Sequence, residues 1–132
     1  MKKTYLMALV TVLFVACQES LEEKCAKEVR MYNLKNCPAK MSDNIIMDSI
    51  SFEASTHTIN YYYTLTGVAD TILADQQQEV KNALLGELKN SPGMAPYKEA
   101  DYNFHYRYMS QQHPGEVLYD MLFTSKDYNK NE

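Results

Sequence analysis

Apolar and polar positions follow two rhythms along this chain. Leu21, Cys25, Val29 and Tyr32 recur at intervals of four, four and three, the period of one helical face. Glu22, Glu23, Lys24, Lys27, Glu28 and Arg30 fill the other positions. The spacing predicts an amphipathic helix over 20–33, ending before the breaker Asn36-Cys37-Pro38. The rhythm then changes. Residues 46–53 and 58–65 are rich in β-branched and aromatic side chains and flank Ala54-Ser55-Thr56-His57, which predicts a β-hairpin. Pairing Glu53 with Thr58 sets Phe52 opposite Ile59, Ile50 opposite Tyr61 and Ile46 opposite Leu65, so one register gathers the large aliphatic residues on one face. Asp48 falls opposite Tyr63 and breaks that pattern.

Helical spacing returns over 70–89. Asp70 or Thr71 serves as cap, Ile72, Leu73, Val80, Leu84, Leu85 and Leu88 form the apolar side, and Asn90-Ser91-Pro92-Gly93 is the stop. Tyr102, Phe104, Tyr106 and Tyr108 then alternate with Asn103, His105, Arg107 and Met109. After a turn at 111–115, Val117, Tyr119, Met121 and Phe123 alternate on the return strand. Pairing Ser110 with Val117 places Arg107 opposite Asp120, a favourable cross-strand charge pair. The order helix, hairpin, helix, hairpin predicts an α+β two-layer sandwich: a four-stranded antiparallel sheet with two helices on one face. Residues 125–132 are polar and read as a fraying tail.

The N-terminus follows neither rhythm. Met1-Lys2-Lys3 precedes an apolar run from Tyr5 to Ala16. As a helix that run would rise about 18 Å, well short of a ~30 Å hydrocarbon core. It reads as a secretory signal over 1–16, followed by a single domain over 17–132. Leu13-Phe14-Val15-Ala16-Cys17 resembles a bacterial lipobox. That resemblance implies a Cys17 sulfur thioether-linked to diacylglycerol, and hence a membrane-anchored lipoprotein.

At 132 residues there is room for one core and one domain. The formal charge is −4, and loss of Lys2 and Lys3 with the leader takes it to −6. So acidic a body lacks the basic footprint of a nucleic-acid binder. It also gains nothing from anionic headgroups, which leaves acyl chains to do the anchoring. With Cys17 assigned to lipid, Cys25 and Cys37 form an even pair in an oxidising compartment. A disulfide between them is expected if the chain doubles back after Asn33. No histidine stands near either cysteine at metal-ligand spacing, so no zinc site is expected.

Three stretches, Asn36-Cys37-Pro38-Ala39-Lys40-Met41, Asp48-Ser49-Ile50 with Tyr61-Tyr62-Tyr63-Thr64-Leu65, and Tyr106-Arg107-Tyr108 running to His113-Pro114, resemble a set of small lipoproteins of Bacteroides-type bacteria. The resemblance implies export and an outer-membrane location, on the periplasmic side or at the cell surface. It brings no catalytic residues.

No residue constellation points to catalysis. His57, His105 and His113 form no metal-binding pair, and neither a G-x-S-x-G elbow nor a glycine-rich phosphate loop occurs. No enzyme activity, cofactor or metal is expected. His57 and His113 read as solvated loop residues, and a hydrolase built on His105 and Asp120 is the outsider. The candidate binding site is the sheet face away from the helices, with Tyr62, Asn103, His105, Arg107 and Asp120 as its strongest members and Asn60, Thr64 and Leu122 beside them. Such amphipathic side chains on a shallow face suit an envelope protein or a glycan. The competing reading is an inhibitor or immunity-type protein that uses hairpin loops 54–58 and 111–115 as one wedge.

Overall fold

Helix α1 (Leu21–Asn36) begins where Ser20 accepts a hydrogen bond from the Glu23 N–H at 3.1 Å, with Glu22 and Glu23 in the first turn. A computed structural model of the chain describes residues 19–130, so the leader and Cys17 lie outside the described residues. α1 packs its predicted stripe, Leu21, Cys25, Val29 and Tyr32, into the core. It does not stop at Asn33 but runs to Asn36. Cys25 and Cys37 are thereby held about 18 Å apart along the helix axis, whereas a disulfide needs Cα atoms within about 7 Å. The expected bridge is absent, and both thiols are free.

The sheet corrects the predicted fold class. It has five strands, β1 (Ala39–Ser42), β2 (Ile45–Glu53), β3 (Thr58–Leu65), β4 (Asn103–Ser110) and β5 (Val117–Phe123), in the order β1-β2-β3-β4-β5. It is mixed rather than antiparallel, because β3 and β4 run parallel, with Thr58 beside Asn103 and Leu65 beside Ser110. The physical reason is the connection. From Thr66 to Tyr102 the chain forms α2 (Gly67–Ile72), a 3₁₀ turn (Leu73–Asp75), α3 (Gln77–Lys89), a second 3₁₀ turn (Pro92–Met94) and α4 (Ala95–Glu99). A helical crossover of that length returns the chain to the end from which it started. The single predicted helix over 70–89 is therefore broken. Leu73 and Val80 stand seven apart, so the apolar period carries across the break and hides it.

The β2–β3 register is as expected from Glu53–Thr58 through Ser49–Tyr62, then slips at a bulge. Met47 faces Tyr63 and Ile45 faces Leu65, while Asp48 is the extra residue and accepts the Thr64 hydroxyl at 2.6 Å. The bulge returns Met47 to the core face, in step with Ile50. A second irregularity lies between Tyr108 and Met109, so Val117 pairs with Met109 rather than Ser110.

All the described helices pack into one core on one side of the sheet. At its centre the parallel register stacks Tyr61 on Tyr106 at 4.8 Å and Tyr63 on Tyr108 at 4.6 Å. Such stacked pairs add roughly 0.5–1.5 kcal/mol each beyond area burial. Nor does the C-terminal segment fray through 130. α5 (Ser125–Tyr128) closes with a capping box between Thr124 and Asp127. The buried Tyr128 hydroxyl donates to the Tyr102 carbonyl at 2.9 Å.

Candidate binding face

The face away from the helices follows from strand alternation. With Ile59, Tyr63, Leu65, Phe104, Tyr106 and Tyr108 turned into the core, their neighbours Asn60, Tyr62, Thr64, His105 and Arg107 point outward. Register then decides who meets whom. Ser51 pairs with Asn60, Asn60 with His105, and Arg107 with Asp120. One hydrogen-bonded chain crosses all four strands β2 to β5. Arg107 Nε donates to Asp120 Oδ2 at 2.7 Å, and Asp120 Oδ1 lies 2.9 Å from His105 Nε2. His105 Nδ1 lies 2.9 Å from Asn60 Oδ1, and Asn60 Nδ2 donates to Ser51 Oγ at 3.1 Å. Tyr62 presents its ring edge-on to His105, with centroids 6.5 Å apart.

Burial alone would raise the Asp120 carboxyl. The hydrogen bonds from Arg107 and His105 and their charges outweigh it and hold the group below its ordinary value of 3.8. Because that carboxylate only accepts, His105 Nε2 is the donor in this contact. The other ring nitrogen is engaged by Asn60. Neither is left to take a proton from a substrate, and among the described residues no hydroxyl or thiol bonds to the ring. Arg107 and Asp120 remain about two-fifths exposed, whereas the His105 side chain is only 15% exposed. The network thus presents an oriented guanidinium and carboxylate to solvent over a fixed imidazole.

Of the residues singled out from the sequence, Tyr62, His105, Arg107 and Asp120 come together. Asn103 does not join them. Its side chain donates to the Thr56 carbonyl at 3.1 Å and ties the start of β4 to the β2–β3 loop. Ser51 was missed, although the register that pairs Glu53 with Thr58 already puts it beside Asn60. His57 is not a freely solvated loop residue. At φ 52° it stacks on Tyr102 with centroids 4.8 Å apart and bonds to Glu22 Oε1 at 2.5 Å. Among the described residues no cluster of His, Cys, Asp or Glu could hold a metal ion. No described helix is long and apolar enough to cross a membrane.

Residues 20–119 match the family described as "Domain of unknown function (DUF8479)". The chain belongs to the DUF8479 family. The match takes in α1, the whole crossover and both central strands, so the DUF8479 region contains every residue of the polar chain except Asp120. No curated protein matches the sequence. The DUF8479 fold is similar to the crystal structure of a "putative secreted protein" from Pseudomonas aeruginosa, with a TM-score of 0.66. That likeness covers 84% of this chain and 99% of the other at 10% sequence identity, and it shows the fold alone.

Proposed function

We propose that this DUF8479 protein is an exported, lipid-anchored envelope protein without enzymatic activity, which binds a partner through its open sheet face. The observation that carries the reading is the chain Ser51–Asn60–His105–Asp120–Arg107 across four strands, with Tyr62 against it. Its polar groups are oriented by one another before any partner arrives, which lowers the ordering cost of association. The face is open, as suits a folded envelope protein or a glycan. Anchoring rests on the lipobox-like run ending at Cys17 and on the resemblance to Bacteroides-type lipoproteins. The description of the Pseudomonas aeruginosa neighbour as secreted agrees with export. The absence of enzymatic activity draws support from the two engaged nitrogens of His105.

The wedge reading loses its geometry. Since β3 and β4 are parallel, loop 54–58 lies at the start of β3 and loop 111–115 at the end of β4. They sit at opposite ends of an eight-residue strand, roughly 25 Å apart, and cannot enter one cleft together.

The test has two arms. Radiolabelled palmitate should enter the protein, and mass spectrometry should find a mature N-terminus at a diacylated Cys17; an unmodified Cys17 overturns the anchor. Cross-linking in the native envelope should yield a defined adduct that Tyr62→Ala and Arg107→Ala both abolish while the variants stay folded. An adduct pattern indifferent to both substitutions overturns the open-face reading.

A further inference from the structure

On the opposite, helix-covered side of the sheet lies a cavity of about 440 Å³ between the strands and the α2–α3 segment. α3 turns Val80, Ala83, Leu84 and Glu87 toward it, the i, i+3, i+4 and i+7 positions of one helical face. Across from them stand Leu65, Tyr63 and Tyr108. Ordinary interior voids hold little more than a water molecule, whereas small-molecule sites begin near ~300 Å³. The volume is of that order but belongs to an open groove, since Met41, Ile72, Ala83 and Glu87 of its lining are exposed. Ala83 matters to it, because a larger side chain on that stripe would fill the space.

The lining is mainly apolar, with the Gln76 amide, two tyrosines and one charge. Glu87 is its sole ionisable carboxylate, and among the described residues no cation stands within ion-pair distance of it. The stacked Tyr63 and Tyr108 rings, 4.6 Å apart, form the adjoining wall, and their hydroxyls make no hydrogen bond among the described residues. Burial foremost raises both phenols, Tyr108 to about 12, with neighbouring groups, Glu87 among them, adding to it, so both stay neutral. A second cavity of about 290 Å³, beside Cys25 and Tyr61, differs in this respect. Its carboxylate, Glu28, already accepts the Tyr97 hydroxyl at 2.5 Å and faces Lys24 at 3.9 Å.

A lone carboxylate beside aromatic rings attracts positive charge and repels anions. We propose that the larger cavity binds a small organic cation with an apolar body, an alkylammonium, its charge at Glu87 and the Tyr63–Tyr108 pair and its chain against Leu65, Val80 and Leu84. This site is separate from the open sheet face and stands without it.

Hexyltrimethylammonium, hexan-1-ol and hexanoate are to be titrated into the intact protein and followed by calorimetry. Saturable one-site binding of the ammonium is expected, with hexanol about tenfold weaker and hexanoate weaker still. Glu87→Gln, at an exposed helix position, should weaken the ammonium about fivefold and leave hexanol unchanged. Ala83→Leu should weaken ammonium and hexanol alike, and Arg107→Ala should change neither. No saturable ammonium binding, equal binding of hexanoate, or indifference to Glu87→Gln overturns the proposal. Thermal melts of each variant confirm folding, so the charge test with Glu87→Gln stands even if Ala83→Leu proves unstable.

Discussion

The side-chain amide of Asn33 grips the main chain of Ile50 at both ends, donating to its carbonyl at 2.6 Å and accepting from its N–H at 2.8 Å. β1 pairs with β2 only as far as Met47, so Asn33 takes over the outer edge of β2 just past the bulge. It fastens α1 to the sheet and satisfies two edge groups at once. Asn33→Ala should cost about 2 kcal/mol, from two net hydrogen bonds and two half-buried groups left without partners. Urea denaturation should show a lower midpoint with unchanged slope. A midpoint equal to that of the parent would show the grip to be ornamental.

Asp70 makes acid sensitivity local. It is buried, takes the Ser110 hydroxyl at 2.6 Å and the Gln112 N–H at 2.8 Å, and these hold its carboxyl below the ordinary 3.8. As pH falls below about 4, the unfolded chain binds a proton that the folded chain still refuses, so stability drops until the folded group titrates. Asn at position 70 removes that titration. Asp70→Asn should flatten the loss of stability between pH 5 and 2, measured by denaturation at each pH. Parallel acid limbs for parent and variant would rule out this role.

The free thiols give a direct chemical test. Burial foremost, with the nearby Glu28 charge, pushes the Cys25 thiol up to about 11, and burial also raises Cys37. Without reductant, Cys25 should resist iodoacetamide in the native protein and both residues should label fully in denaturant. Finding neither labelled after unfolding would restore the bridge that the length of α1 forbids.

Arg107 and Asp120 should matter to a partner more than to the fold. Both are too exposed for their ion pair to hold much energy, and a double-mutant cycle with Ala at both positions should give a coupling of at most about 1 kcal/mol. A coupling several times larger would make the pair a structural element rather than a presented surface.

Much of this was legible from alternation. The pattern Tyr102 to Tyr108 gave strand and face at once, and pairing Arg107 with Asp120 needed only the turn length. What alternation cannot encode is strand direction, since a period of two reads alike from either end. The parallel junction was signalled only by the helical crossover. The bulge at Asp48 also left a trace, because Ile45 and Met47 are out of step with Ile50 and Phe52 by one residue. β1 escaped notice because Ala39-Lys40-Met41-Ser42 is too short to show a period. In the binding face, Tyr62 and His105 followed from alternation, but only the register of two separate pairings reveals one continuous chain from Ser51 to Arg107.

The parallel seam has a consequence for assembly of the molecule. Each hairpin closes over a few residues, but the β3–β4 junction joins segments separated by the entire crossover, so neither half has a finished sheet until the later strands emerge. A chain cut between Leu65 and Asn103 leaves β3 as a bare, tyrosine-lined border in one piece and β4 in the other. Such borders seek a mate. The two fragments, mixed, should recombine into the native dimer of pieces, and either alone should self-associate.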